Sequence, residues 1–238
     1  QLLTPQKETA DFADTESLLR EAAYDTGAVD DLQAWWLHRL HYTANPLTEK
    51  LTLFWHNHFA TSFSKVQSVP HMAAQNDRFR AEALGSFREL LHAMAKDVAM
   101  LIWLDSNANR KRHANENFAR EVMELFSLGE GNYTEDDIKQ AARAFTGWHV
   151  RDDKFWFNQR QHDITSKSLF GKTANLDGGE VIDLCLAHKA CARFIAFKLL
   201  RAFVLDQPTD VHITALAARL RAHDFAMRPV MRELLESK

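Results

Sequence analysis

Apolar residues recur every three to four positions along most of this chain, and this periodicity restricts its fold more than any other feature. One such stripe comprises Leu32, Trp35, Trp36 and Leu40. Glycine and proline, which interrupt regular structure, number only 8 and 5 in 238 residues. That is few for a chain built from many short strands and tight turns. The sequence therefore predicts an all-α fold.

Start and stop signals divide the chain into successive helices. Pro46 suits the first turn of a helix that continues through Phe59. Thr134 and Asp137 approximate a capping box, and Gly129 ends the preceding helix. The predicted helices cover residues 14–24, 30–43, 46–59, 71–84, 86–96, 114–128, 134–145, 179–187, 189–205 and 209–223, with a last helix from about Met227.

Residues 148–177 break the helical pattern. The stretch WHVRDDKFWF alternates about Asp152 and Asp153, which predicts one small β-hairpin near residues 148–158. A polar loop follows. With no repeat, linker or low-complexity tract, we expect one multi-helix domain over residues 1–238, with the hairpin and loop of residues 148–178 inserted between helices.

Composition excludes several classes of protein. The net charge of −3 and the isoelectric point near 6.5 argue against a nucleic-acid partner. No apolar run approaches the ~20 residues of a membrane span. The two cysteines, Cys185 and Cys191, lie on different faces of one predicted helix, so neither a disulfide framework nor a zinc site is expected.

The first candidate site lies in the stretch FWHNHF. On a helix, His56 and His58 point roughly 200° apart, because successive residues are rotated by about 100°. In the functional interpretation, one histidine is a buried base or metal ligand. In the alternative, both lie at the edge of the core and are satisfied by backbone carbonyls or carboxylates.

The second candidate site lies in the stretch NENFAREVMEL. Glu121 and Glu124 share one helical face, and Arg120 can pair with Glu116 and Glu124 at intervals of four. Glu121 lies beside the apolar stripe, so its carboxylate is expected to be partly buried and to need a cation, a metal or a proton. The alternative is a solvated helix face with ordinary salt bridges.

The third candidate site is His162 with Asp163, in the irregular segment. This histidine is either an oriented base or ligand, or part of a hydrogen-bonded pair that locks the loop. A di-metal bundle needs Glu-x-x-His on two helices, and only Glu89 to His92 matches. A mononuclear divalent metal remains as the possible cofactor, with His58, Glu121 and His162 as ligands.

Three blocks of sequence resemble the bacterial domain-of-unknown-function family 1800. They are NPLTEKLTLFWHNHFATS, NENFAREVMELFSLGEGNYTEDDIKQAARAFTGW and HDITSKSLFGKTANLDGGEVIDLCLAHKACARFIAFKLLRAFV. The resemblance implies no established activity. It implies a compact or truncated member, export to the periplasm or the cell exterior, and a partner protein encoded by an adjacent gene. Val98 and Lys189 stand where the family usually has proline.

Two functions follow from these observations. In the first, the three blocks form one polar cleft for metal-assisted hydrolysis or oxidation. The candidate catalytic residues are then His56, His58, Arg120, Glu121, Glu124 and His162. In the second, the protein is a non-catalytic helical scaffold, its polar motifs are structural, and the aromatic residues 155–157 face a partner.

Overall fold

The computed structural model describes residues 2–236 and is mostly helical, with a small β insertion. The predicted fold class is therefore confirmed. The α-helices of this range are α1 (Ala10–Thr26), α2 (Val29–Tyr42), α3 (Pro46–Phe59), α4 (Phe63–Val66), α5 (Val69–Ala81), α6 (Phe87–Met94), α7 (Val98–Trp103), α8 (Glu116–Glu121), α9 (Glu135–Ala144), α10 (Gly178–Ala187), α11 (Lys189–Phe203), α12 (Asp210–Ala222) and α13 (Met227–Glu236).

Capping residues explain several of these boundaries. Pro46 occupies the first turn of α3, and Thr134 forms a complete capping box with Asp137 at the start of α9. Val98 and Lys189 are the first residues of α7 and α11. A proline is well tolerated at that position, so these departures from the family pattern concern helix initiation.

The chain divides into two compact units, residues 1–85 and 86–238. The first contains α1 to α5, and the second contains α6 to α13 with both β-sheets. The prediction of a single domain remains a prediction.

Aromatic side chains form the core of the first unit. Trp35, Trp55, Phe59 and Phe79 are almost completely buried, and the rings of Phe59 and Phe79 stack with their centroids 5.7 Å apart. These side chains come from α2, α3 and α5, and the FWHNHF stretch contributes Trp55, His58 and Phe59 to the core.

The second unit has a core of aliphatic and aromatic residues. Its fully buried side chains include Phe87, Leu90, Val181, Ile195 and Leu199, from α6, α10 and α11. Helix α11 contributes an uninterrupted buried stripe because its apolar residues recur at helical intervals.

The predicted helix 114–128 is α-helical only in its first half. Residues Val122–Leu128 form a π-helix, which continues directly from α8. The hydroxyl of Ser127, itself buried, donates to the carbonyl of Val122 at 2.5 Å, five residues back. π-Helical turns are rare and occur often at functional sites.

The predicted hairpin is present as strands β1 (Trp148–Arg151) and β2 (Lys154–Phe157). His149 pairs with Trp156, and the turn residues Asp152 and Asp153 both have positive φ. The polar loop was not expected to contain regular structure. It forms a second hairpin of β3 (Lys167–Leu169) and β4 (Lys172–Ala174), too short to produce a clear alternating pattern.

Candidate functional site

The two histidines of α3 lie in different surroundings within the first unit. His58 is 3% exposed and its ring packs against Trp55 and Phe59, with centroids 5.6 and 4.7 Å away. His56 is half-buried and makes an edge contact with Trp36, with centroids 5.0 Å apart. The separation of the two rings agrees with helical geometry.

His56 lies in the wall of a cavity of about 240 Å³. Its imidazole makes no hydrogen bond to any residue among 2–236, and burial lowers its pKa below the usual value of 6.5. Trp35, Met72 and Asn76 lie deep in this cavity, and Gln33 is exposed at its rim. A neutral imidazole that has both ring nitrogens available can donate one hydrogen bond and accept another.

An ion-pair network around one buried carboxylate lies close to this cavity. Glu49 is 2% exposed, and its Oε1 atom lies 2.5 Å from Nε of Arg80 and 3.3 Å from Nε of Arg39. Arg39 also pairs with Glu16 at 3.0 Å. The indole N–H of Trp35 donates to Glu16 at 2.6 Å. A buried carboxylate needs such partners to stay ionised.

The network continues through Asp77 and surrounds Trp35. Asp77 pairs with Arg80 at 2.9 Å and with Arg20 at 2.5 Å. The guanidinium carbons of Arg20, Arg39 and Arg80 lie 5.3, 5.9 and 5.4 Å from the Trp35 ring centroid. Three arginines are thus balanced by Glu16, Glu49 and Asp77. Sequence reasoning missed this network, because its members are far apart in the chain.

In the second unit, Glu121 and Glu124 lie where α8 becomes the π-helix. Burial and the nearby charge of Glu124 raise the pKa of Glu121 above its usual value. Oε2 of Glu124 accepts a hydrogen bond of 2.5 Å from the hydroxyl of Tyr133. Burial and this contact raise the pKa of Tyr133. The partial burial of Glu121 agrees with its expected place beside the apolar stripe.

Arg120 is engaged away from these two carboxylates. It forms a bidentate salt bridge with Glu135, with N–O distances of 2.9 and 2.8 Å, and donates a hydrogen bond of 3.3 Å to Glu116. The predicted pair of Arg120 with Glu116 forms. Glu124 hydrogen bonds to Tyr133 instead, because the π-helix changes the angular spacing after Glu121.

A lysine that the sequence analysis did not single out lies beside the same π-helix. Nζ of Lys198 donates to the carbonyl of Leu125 at 3.1 Å and lies 4.6 Å from the ring centroid of Phe194. Burial lowers the pKa of Lys198 to about 8. The sequence feature that could have identified this lysine is its position within the apolar stretch FIAFKLLRAF.

His162 and Asp163 fasten the loop that follows the first hairpin. Nδ1 of His162 lies 2.8 Å from the carbonyl of Thr146. Asp163 accepts from Arg143 at 2.9 Å and from the hydroxyl of Thr165 at 2.6 Å. Burial alone raises the pKa of Asp163, but these hydrogen bonds outweigh it and lower that pKa well below the usual range. No hydrogen bond of His162 within the described range reaches Glu121 or Glu124.

The predicted metal ligands belong to two units. His58 lies in the first, and Glu121 and His162 lie in the second, so a site that combines all three stays a prediction. Between Leu2 and Glu236, no group of three or more His, Cys, Asp or Glu side chains is arranged to hold a metal ion. Cys185 and Cys191 are unpaired thiols within the core, where burial raises the pKa of each to about 12.

The first hairpin presents aromatic side chains to solvent. Trp156 is 37% exposed and Phe157 is 42% exposed, whereas Phe155 is half-buried against Trp148, with ring centroids 5.3 Å apart. Cross-strand partners share a face, so Trp156 lies with Arg151 on one face of the hairpin. The guanidinium carbon of Arg151 is 5.0 Å from the Trp156 ring centroid.

Basic residues surround this hairpin. The turn at residues 110–113 is joined to it, because the backbone N–H of Lys111 donates to Gln161 at 2.8 Å and Asn107 hydrogen bonds twice to the backbone of Val150. We call the exposed part of these segments the hairpin surface. It comprises Arg110, Lys111, Arg112, Arg151, Lys154, Trp156, Phe157 and Arg160.

A comparison with protein families assigns nearly the whole chain. Residues 2–238 match the family described as "Protein of unknown function (DUF1800)". The chain belongs to the DUF1800 family. No curated protein and no solved structure matches it. The match confirms the resemblance carried by the three sequence blocks and extends it across the hairpin surface and α1.

The DUF1800 family has no stated activity, so a function has to be inferred from the structure of this member. No helix between residues 2 and 236 has both the length and the apolar composition to cross a membrane. The structural features that are candidates for a functional role are the His56 cavity, the Trp35 network, the π-helix and the hairpin surface.

Proposed function

We propose that this DUF1800 protein is a helical scaffold that binds a partner protein through the hairpin surface. The observation that carries this proposal is that a short, anchored hairpin exposes an aromatic side chain on each face, Trp156 on one and Phe157 on the other. Tryptophan and arginine are enriched among the residues that contribute most to binding at protein interfaces. Exposed apolar surface rimmed by polar residues marks interaction sites.

The polar candidate residues support a structural role for the three sequence blocks. Asp163 and Arg143 fasten the loop, Arg120 joins α8 to Glu135, and His58 packs within an aromatic core. Each is paired or packed separately from the others. Buried polar groups of this kind favour one arrangement of the fold over alternatives, and they leave partner binding to the surface.

Charge favours an acidic partner. The hairpin surface carries six basic side chains, whereas residues 110–113 and 148–161 contain two acidic ones, Asp152 and Asp153. This local positive surplus contrasts with a net charge of −3 for the whole chain. Six basic side chains on one surface attract an acidic protein segment, and the net negative charge of the chain argues against a nucleic acid. The protein encoded by the adjacent gene is the partner we expect.

The test is binding between the full chain and the purified product of the adjacent gene, measured by calorimetry. A Trp156→Ser, Phe157→Ser double variant should weaken binding at least 30-fold, since a central aromatic anchor contributes about 2 kcal/mol or more. Val211→Ser, at an exposed apolar residue of α12, is the matched control. Equal binding by both variants, or tighter binding of a single-stranded oligonucleotide, contradicts the proposal.

A second candidate function is catalysis at the π-helix. The specific observation in its favour is the proximity of Glu121, whose pKa is raised, to Glu124 with its bound Tyr133 hydroxyl. Carboxylates with raised pKa values serve as general acids and bases. Metal-assisted hydrolysis or oxidation would require further ligands beside these carboxylates.

Metal content separates the two candidates. Protein purified without a histidine tag or chelator is analysed for bound metal, together with the Glu121→Ala and Glu124→Ala variants. Near-stoichiometric metal that both substitutions remove supports catalysis at the π-helix. Metal-free protein whose variants are folded but less stable supports the scaffold.

A further inference from the structure

The cavity beside His56 has the features of a built ligand site. Its deep part is formed by Trp35, Met72 and Asn76, all buried, and its outer part by partly exposed residues that include Trp36. A volume of about 240 Å³ exceeds the roughly 150 Å³ that accommodates benzene in an engineered cavity. The cavity is therefore large enough for a single substituted ring.

Asn76 supplies an unused donor at the bottom of this cavity. It is 5% exposed, and its Oδ1 atom accepts a hydrogen bond of 2.5 Å from Nη2 of Arg80. This contact fixes the orientation of the amide. Its NH₂ group makes no hydrogen bond to any other residue among 2–236. An occupant of the cavity that carries an acceptor can take this hydrogen bond.

A second donor is also unsatisfied. The indole N–H of Trp36, whose ring lines the cavity, is buried and has no partner among the described residues. The neutral imidazole of His56 also lines the cavity, and it has one ring nitrogen that can accept a hydrogen bond and one that can donate. Aromatic walls with few, specific polar groups are typical of small-molecule sites.

We propose that this cavity binds a small, planar, uncharged molecule, namely an aromatic ring that carries a carbonyl group. The ring packs between Trp36 and Met72, and the carbonyl oxygen accepts from the amide of Asn76. This site is separate from the hairpin surface, so the inference does not rest on the scaffold function.

The charge balance of the neighbouring network excludes an ionised ligand. Arg80 is the cation nearest to Asn76, and it is already paired with Glu49 and Asp77. An added carboxylate would compete with these two acids for one guanidinium, and an added ammonium would face the arginines. An uncharged carbonyl needs no counter-charge.

Three probes test the assignment on the full chain: benzamide, benzoate and toluene. Binding is followed by ligand-observed saturation-transfer NMR and by calorimetry. We expect benzamide to bind at least tenfold more tightly than benzoate. Toluene, which has the ring without the acceptor, should also bind, and its signal should be reduced by competition with benzamide.

Two substitutions locate the probes. Asn76→Asp keeps an acceptor for Arg80 and removes the N–H donors, so benzamide affinity should fall at least tenfold while toluene affinity stays within twofold. Val29→Phe fills the cavity from its rim and should abolish binding of both. Ala34→Phe adds the same ring at an exposed position of α2 outside the cavity and should change neither.

The outcomes decide the proposal. Failure of both benzamide and toluene to bind the wild-type chain overturns it, as does binding that Val29→Phe leaves unchanged. Preference for benzoate over benzamide overturns the choice of an uncharged ligand. Because the hairpin variants contain an intact cavity, their loss of partner binding leaves this result unaffected.

Discussion

Nε of Arg80 lies 2.5 Å from Oε1 of Glu49, and the guanidinium carbon of Arg80 lies 5.4 Å from the Trp35 ring centroid. The same carboxylate oxygen contacts Arg39 at 3.3 Å. One buried negative charge therefore holds two guanidinium groups that also face the Trp35 ring. Loss of the Glu49 charge would leave Arg39 with Glu16 and Arg80 with Asp77, so each guanidinium keeps one acidic partner.

Glu49→Gln should lower the free energy of unfolding by about 1.5–3 kcal/mol, because it weakens charge-assisted hydrogen bonds to Arg39 and Arg80. Urea unfolding followed by circular dichroism gives this value. Glu21→Gln, at an exposed position of α1, is the control and should stay within about 0.5 kcal/mol of wild type. A similar small effect for both variants would show that the network contributes little.

His56 should titrate below pH 6.5, because its burial disfavours the charged imidazole. The unfolded chain binds a proton at this residue near pH 6.5, whereas the folded protein does not. Stability from His56 is therefore present above that pH and is lost as the pH falls through it. Histidine NMR titration, with the resonance assigned from His56→Gln, measures the midpoint. A value above 6.5 would contradict the burial of the ring.

Asp163→Asn should destabilise the protein by about 1–3 kcal/mol at pH 7, because it weakens charge-assisted hydrogen bonds to Arg143 and Thr165. The folded-state pKa of Asp163 is lowered, so its contribution is present above the unfolded value near 3.8 and is lost as the pH falls below it. Unfolding curves of the two proteins should therefore converge at acid pH. A difference that is constant from pH 7 to pH 3 would argue against this role.

Much of the helical architecture is accessible from the sequence, because it depends on local signals. Pro46 starts α3 where expected, and the Thr134 capping box starts α9. Asp152 and Asp153 mark the hairpin turn. Each of these positions is determined by residues within a few places along the chain.

The candidate sites depend on pairing across the chain, which one sequence does not reveal. Glu16 in α1 and Asp77 in α5 are separated in the sequence by three helices, yet both join the Trp35 network. The π-helix was missed because Val122, Leu125 and Phe126 fit an α-helical apolar pattern equally well. No sequence pattern singles out Asn76, because its role depends on the hydrogen bond from Arg80 and on its position in the cavity wall.

Glu121→Gln should raise the melting temperature at pH 7. Burial and Glu124 raise the folded-state pKa of Glu121, so its ionised form is unfavourable in the folded protein, and the neutral amide removes that penalty. The gain should disappear below about pH 4, where the carboxyl is protonated in both states. Glu130→Gln, at an exposed residue, should leave the melting temperature unchanged. Destabilisation by Glu121→Gln at pH 7 would instead indicate an unrecognised cation at the carboxylate.

Gly147→Ala should destabilise the second unit more than Gly171→Ala. Both glycines have positive φ, of 84° and 81°, which costs an alanine about 1–2 kcal/mol. Only at Gly147 would the added Cβ also approach a backbone oxygen, that of Asn158, at 2.6 Å. Thermal unfolding of the two variants compares them directly. Equal losses would show that the backbone beside Gly147 adjusts freely.

The most direct test of partner binding through the hairpin surface is hydrogen exchange. The full chain is compared with and without the purified product of the adjacent gene, and peptide-level protection is mapped by mass spectrometry. The scaffold account predicts protection concentrated in residues 110–113 and 148–161, reduced at high salt. Protection confined to other segments, such as α12 and α13, or no protection at saturating partner, would contradict it.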